Sequence, residues 1–163
     1  MKKILLISDT HGYIDEKIIK YANKVDEIWH AGDIGDISVT DKLKKIKPLR
    51  GVYGNIDDQK IRTEFPLHNR FICEKVNVWI THIGGYPKRY NPKILEELKS
   101  NPPDLFICGH SHILKVINDK ELDLLHMNPG AIGKYGLHRV RTMIQFEING
   151  KKIENLSVIE FER

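Results

Sequence analysis

The sequence predicts an α/β protein in which two mixed β-sheets pack together and helices flank them. Three observations lead there. In the first third, short apolar runs alternate with stretches of helical periodicity, giving the order strand–helix–strand–helix–strand. Chains ordered this way form parallel strands joined by right-handed crossovers. Beyond residue 65 the chain becomes strand-rich, with turn residues between neighbouring runs, as hairpins require. Finally, the early apolar runs end in Gly together with Asp, Asn or His, and in α/β sheets ligands bind at such carboxyl ends.

The elements follow in order. "KILLIS" (3–8) is a continuous apolar run, as expected of a strand buried on both faces. "DEKIIKYANK" (15–24) places Ile18, Ile19 and Ala22 on one helical stripe. "VDEIWH" (25–30) is a second strand, "SVTDKLKKI" (38–46) a second helix capped by Ser38, and "PLRGVYG" (48–54) a third strand. "RFICEK" (70–75) and "VNVWITH" (76–82) pair around a turn near Glu74–Lys75. The helix "NPKILEELKS" (91–100) stops before Pro102–Pro103. Strands "DLFICGH" (104–110), "ILKVIND" (113–119), "ELDLLHM" (121–127), "RTMIQFEI" (141–148) and "KIENLSVIEF" (152–161) complete the chain, with turns at Asn118–Asp119 and Asn149–Gly150. No repeat or low-complexity linker interrupts them, so a single domain over residues 1–163 is expected.

Composition narrows the class. With 40% hydrophobic and 29% charged residues among 163, the chain reads as an ordinary soluble protein. No run approaches the roughly 20 apolar residues of a membrane helix, so no membrane partner is expected. Lys2 and Lys3 precede an apolar stretch too short for a signal peptide, and no cleavage site follows; the expected location is cytoplasmic. Cys73 and Cys108 lack partners at metal-ligand spacing and read as buried thiols. The net charge of +4 is spread along the chain. Its one dense basic run, "KLKKIKPLR" (42–50), suits the solvated face of a helix better than a nucleic-acid surface. Nucleic acid is therefore not expected as a specific partner, and a homo-oligomer is left open.

The polar strand ends are "SDTHG", "HAGDIGD", "VYGNIDD", "THIGG" and "CGHSH". If the first strand persists, Asp9 and His11 point to the same side, as residues two apart do in extended chain. Taken singly, Gly-Asp and Gly-Asn are common turn dipeptides and a lone histidine is more often a packed one. Together they bring seven metal-capable groups to one end of the sheets: Asp9, His11, Asp33, Asn55, His82, His110 and His112. Carboxylate, amide and imidazole without thiolate suit Mn, Ni, Fe, Zn or Co. Seven groups exceed the needs of one ion, so two divalent transition-metal ions sharing a carboxylate fit better. Gly32, Gly54 and Gly109 suit loops in which backbone turns sharply or approaches a ligand.

The ordered set Asp9–Thr10–His11, Gly32–Asp33, Gly54–Asn55–Ile56–Asp57, His82 and Gly109–His110–Ser111–His112, followed by Asn128–Pro129–Gly130, resembles the calcineurin-like metallophosphoesterases. Within that family it is most similar to the compact YfcE-type phosphodiesterases of bacteria and archaea, over essentially the whole chain. The resemblance implies a four-layer α/β/β/α sandwich with a dinuclear site at one end of the two sheets. It assigns Asp9, His11 and His112 to one metal and Asn55, His82 and His110 to the other, with Asp33 bridging. Asp33, Asn55 and His82 would be the catalytic residues. The implied activity is hydrolysis of a small phosphodiester, a hydroxide shared by the ions attacking phosphorus in line. Two ions against Asp9, Asp33 and that hydroxide leave the pocket net positive, as a phosphate ester requires.

Two departures stand out. Many members carry histidine where this chain has Ile56, and serine where it has Ala131. Asp57, the nearest carboxyl group, is expected to orient a histidine ligand, the alternative for it being a loop-capping role. The alternative is a protein-interaction scaffold on the same fold, similar to a subunit of the retromer complex. Its mark would be loss of ligands, and none of the seven is lost.

Overall fold

A computed structural model describes residues 1–163. The first sheet is built from β1 (Lys2–Ile7), β2 (Glu27–His30), β3 (Leu49–Gly51), β11 (Val140–Asn149) and β12 (Lys152–Glu162), in the order β12-β11-β1-β2-β3. The second contains β4 (His68–Cys73), β5 (Val76–Thr81), β8 (Leu105–Ile107), β9 (Leu114–Asp119) and β10 (Leu124–Pro129), in the order β4-β5-β8-β10-β9. Strands β1, β2 and β3 run parallel, as do β5, β8 and β10, while β11, β12, β4 and β9 pair antiparallel at the flanks. Both sheets are therefore mixed.

Four layers follow from where alternate side chains go. Ile4 and Leu6 of β1 face the second sheet and pack with Val78, Ile80 and Ile107. Leu5 and Ile7 face the other way, against Ile18 and Ala22 of α1 (Glu16–Ala22), Val39 and Leu43 of α2 (Ile37–Lys44), and Ile61 of α3 (Gln59–Glu64). A strand with core on both faces has no polar alternation, hence the unbroken apolar run. On the far side, Trp79 and Phe106 meet Ile94 and Leu98 of α4 (Pro92–Ser100). Cys73 and Cys108 are buried and unpaired. No helix is long and apolar enough to cross a membrane.

Several local expectations are corrected. Helix α2 begins at Ile37, and its N-cap is Asp36, whose carboxylate accepts from the Ser38 amide at 2.9 Å. Strand β3 is three residues long, and the turn placed at Asn118–Asp119 falls at residues 120–123 because β9 continues through Asp119. Two elements were not anticipated: α3 and a small hairpin of β6 (Gly85–Tyr86) and β7 (Arg89–Tyr90). The basic run behaves as expected, with Lys42, Lys44 and Lys45 on the exposed face of α2 and its C-terminus.

Candidate metal centre

The loops after β1, β2, β3, β5 and β8 meet at one end of the two sheets, and all seven predicted residues lie there. Their ligand atoms fall into two adjoining groups, Asp9, His11 and His112 in one, and Asp33, His82 and His110 in the other. In the first, Asp9 Oδ1 is 3.7 Å from His11 Nε2 and 3.2 Å from His112 Nε2. In the second, Asp33 Oδ2 is 3.1 Å from His82 Nε2. The same oxygen is 3.5 Å from His11 Nε2, so Asp33 lies between the groups. Asn55 joins the second through its Oδ1, 3.0 Å from His110 Nδ1.

Asp9, Asp33 and His82 each use one polar atom for bracing and turn the other toward the neighbouring ligands. Asp9 Oδ2 accepts from the Ser8 hydroxyl at 2.7 Å and the His110 amide at 3.2 Å. Asp33 Oδ1 accepts from the Ile56 amide at 3.1 Å. His82 Nδ1 lies 2.7 Å from the Ala31 carbonyl, which fixes it as the donor and turns a bare Nε2 lone pair inward. Asp9 Oδ1, His11 Nε2 and His82 Nε2 are buried with no hydrogen-bond partner, close only to one another's ligand groups. An orphaned buried polar atom costs about 1–3 kcal/mol, and three converging on one point call for a bound group. Nitrogen and oxygen donors with no sulfur suit a divalent transition metal. Burial alone would raise the Asp9 pKa, yet the imidazoles of His11, His112 and His82 and the Ser8 hydroxyl hold it far below the carboxylate range. Asp33 is likewise lowered, its burial outweighed by His82 and the Ile56 amide. Both present as carboxylates.

The convergence of Asp9 and His11 has a different cause from the one expected. Strand β1 ends at Ile7, and both residues sit in the left-handed region, at φ of 54° and 44°. Asp33 (54°), His110 (71°) and His112 (62°) do the same. Non-glycine residues held there cost about 1–3 kcal/mol each and cluster at functional sites. Backbone bonds over-determine these turns: the amides of Asp9, His11 and Gly12 donate to the carbonyls of Gly32, Asp33 and Ile34. Close approach explains Gly32, where a Cβ would lie 2.7 Å from His82 Nδ1.

Residues 1–151 match the family model of the calcineurin-like phosphoesterase superfamily domain. The chain belongs to this superfamily. It is 31% identical over 134 residues to a probable metallophosphoesterase of Methanocaldococcus jannaschii, covering 77% of this chain and just under two thirds, 66%, of that protein. In fold it is similar to Vps29 of Chaetomium thermophilum, with a TM-score of 0.77, 20% identity and coverage of 99% and 97% of the two chains. It is also similar to an archaeal phosphodiesterase, with a TM-score of 0.70, 22% identity and coverage of 96% and 99%.

In this calcineurin-like chain, the Asp57 carboxylate is hydrogen-bonded to backbone amides and not to a histidine. Its two buried oxygens accept from the amides of Gly54 (2.7 Å), Gly35 (2.8 Å) and Ile34 (3.1 Å). It clasps the loop bearing Asn55 to the loop bearing Asp33, its two oxygens taken up by three inward amides. Ile56 is 47% exposed at the rim, and Ala131 is buried.

His30 and Tyr135 escaped the sequence reading, which assigns Asn128 no role. His30 Nδ1 accepts from the Gly32 amide at 3.1 Å, leaving Nε2 to donate to Thr10 Oγ1 at 3.0 Å, whose own hydroxyl bonds the Ile34 carbonyl. Burial holds this imidazole neutral, its pKa pulled down to about 4. Asn128 Nδ2 donates to the Gly109 carbonyl at 3.0 Å and to Ser111 Oγ at 3.1 Å, bracing the Gly-His-Ser-His loop. Tyr135 stacks on His11 with ring centres 4.9 Å apart. The "HAGD" run held the signal for His30; nothing in sequence marks Tyr135.

Proposed function

We propose that this chain is a dinuclear-metal phosphodiesterase, a single domain over residues 1–163. Asp9, His11 and His112 would hold one divalent ion and Asn55, His82 and His110 the other, with Asp33 bridging. The supporting observation is the set of unpartnered buried atoms, Asp9 Oδ1, His11 Nε2 and His82 Nε2, gathered around an Asp33 oxygen within reach of both groups. Mn, Ni, Fe, Zn or Co suits these donors.

Two such ions, when bound, lower the pKa of water and clamp an in-line displacement at phosphorus. The chain's own contribution is to aim the donor atoms before substrate arrives. Ser8 and the His110 amide fix the Asp9 carboxylate, the Ala31 carbonyl fixes the His82 tautomer, and the Ile56 amide fixes Asp33. Asn55 and His110, at the exposed edge, would be the ligands nearest an incoming phosphate oxygen. With hydrocarbon at Ile56, no protein acid stands beside the leaving oxygen, so diesters with good leaving groups are favoured.

The substrate is read as a small phosphodiester and the location as cytoplasmic, where two unpaired thiols persist. A binding scaffold on this fold would be favoured by missing ligands, and all seven groups are in place. The test is elemental analysis after loading with Mn or Ni, with turnover of bis(4-nitrophenyl) phosphate. Two ions per chain and metal-dependent hydrolysis are expected. Less than one ion per chain, with no turnover under any metal, would overturn the reading.

A further inference from the structure

Two clefts open beside the second ligand group, of about 380 Å³ and about 320 Å³. His110 forms part of the wall of the first, and Asn55 and His82 part of the wall of the second. Because His110 Nδ1 is 3.0 Å from Asn55 Oδ1, the clefts meet at a single point. Between them runs a ridge of Ile83 and Asn91, which line both. The ridge is fixed: Asn91 Nδ2 donates to the Ile83 carbonyl at 2.8 Å, and its amide to the Gly84 carbonyl at 2.9 Å.

We propose that the substrate is a linear phosphodiester with a nucleoside-sized group on each side of phosphorus, bound astride this ridge with one group in each cleft. The linkage of a dinucleotide or short single-stranded oligonucleotide answers that description. The inference rests on the phosphodiesterase reading and narrows its substrate.

Shape and charge agree on the occupant. A phosphomonoester, or a cyclic diester whose two ester oxygens belong to one sugar, fills one cleft and leaves the other wet. Each cleft is large enough for a nucleoside-sized group. Each also pairs an aromatic ring with a cation: Lys115 Nζ stands 4.0 Å over the Tyr86 ring in the first, and the Arg62 guanidinium 4.6 Å over the Tyr53 ring in the second, the ring-and-cation lining that single-stranded nucleic acid favours. Arg89 and Lys115 line the first, and Arg62 and Lys93 the second. No Asp or Glu lines either cleft. The arginines paired with carboxylates, Arg50, Arg70 and Arg141, lie elsewhere. Cations on both sides of the scissile position suit flanking phosphates. These four residues come from three stretches of the chain, Arg89 and Lys93 sharing one and Arg62 and Lys115 standing apart, so no dense basic run gathers them in the sequence, which is why nucleic acid was not expected. In the reaction, the oxygen of one water joins phosphorus and one P–O ester bond breaks. The products are a phosphomonoester and an alcohol, the proton of the water passing to the leaving oxygen.

The test compares 5′-phosphorylated tri-thymidylate, 3′,5′-cyclic AMP and bis(4-nitrophenyl) phosphate on the metal-loaded chain. It adds fluorescence anisotropy of a labelled trinucleotide on the metal-free chain, where no chemistry intervenes. The trinucleotide should exceed the cyclic nucleotide in kcat/KM by about 100-fold. Arg89→Glu and Lys93→Glu, one in each cleft, should each weaken trinucleotide binding by about tenfold and flatten its salt dependence. The aryl diester, which has no flanking phosphate, should lose less. Equal or better turnover of the cyclic nucleotide, or anisotropy insensitive to both variants, would overturn the two-cleft assignment. Failure of the aryl diester with every metal would instead remove the phosphodiesterase reading, while anisotropy still decides the clefts.

Discussion

At the scale of single residues, a site carboxylate, a site amide and a carboxylate outside the site predict different failures. Asp33 Oδ2 lies 3.5 Å from His11 of one ligand set and 3.1 Å from His82 of the other, the shortest pair of reaches across both, whereas Asn55 touches one, through His110. Asp33→Asn should lower kcat by about 10²–10³-fold, with loss of bound metal, and Asn55→Ala by about tenfold. Turnover and metal content of the two variants check the ranking. Asp57→Asn should act on folding instead, since an amide in place of one acceptor oxygen faces an N–H. A loss of about 1.5–3 kcal/mol, read by urea unfolding, is expected. Hydrolysis should keep its steep dependence on leaving-group pKa in both forms; a dependence flat in the parent and steep in the variant would make Asp57 the acid. The seven candidate ligands were legible because metal chemistry demands particular residue types, which stand out after apolar runs. For Asp57 the loop-capping alternative prevails over the histidine-orienting one; the three amides it serves belong to two loops, Gly54 in one and Ile34 and Gly35 in the other, and no spacing along the chain reveals their approach.

At the scale of elements, legibility tracked buried area. Strand β1 and helix α4 announced themselves through long apolar runs or stripes. Helix α3 buries only Ile61, and β6 and β7 are two residues each, too little for any periodicity. The start of α2 was misjudged because Asp36 and Ser38 are both good caps by type, and only the backbone tells them apart. Asp36 is extended, at φ −145°, while Ser38 is already helical. Asp36→Ala should therefore lower the thermal midpoint, and Ser38→Ala should leave it close to the parent's. Calorimetry on the two variants distinguishes them.

At the scale of the whole molecule, two buried imidazoles set a pH limit. His126 on β10 is 1% exposed, with its ring against those of Phe106 and Tyr90. Burial pulls its pKa down to about 4, as it does for His30. In the unfolded chain both titrate near 6.5, so between about pH 6.5 and 4 the unfolded state binds protons that the folded state refuses. Their contribution is complete above pH 6.5 and is lost as pH falls toward 4. His82, whose pKa is raised because Asp33 and Asp9 outweigh its burial, acts above 6.5, outside this window. The urea midpoint of the metal-free chain should fall across the window, and less steeply in His126→Leu. The division of donors between the sheets has a further consequence. Asp9, His11, Asp33 and Asn55 follow strands of the first sheet, and His82, His110 and His112 follow strands of the second. Each ligand group therefore draws on both, and a metal seated there would act as a rivet across the sandwich. Free metal at 100 times its dissociation constant would add about 2.7 kcal/mol of stability per site. Chelation should then loosen the two halves against each other, and hydrogen exchange should rise first at the loops and last in the apolar layer between the sheets.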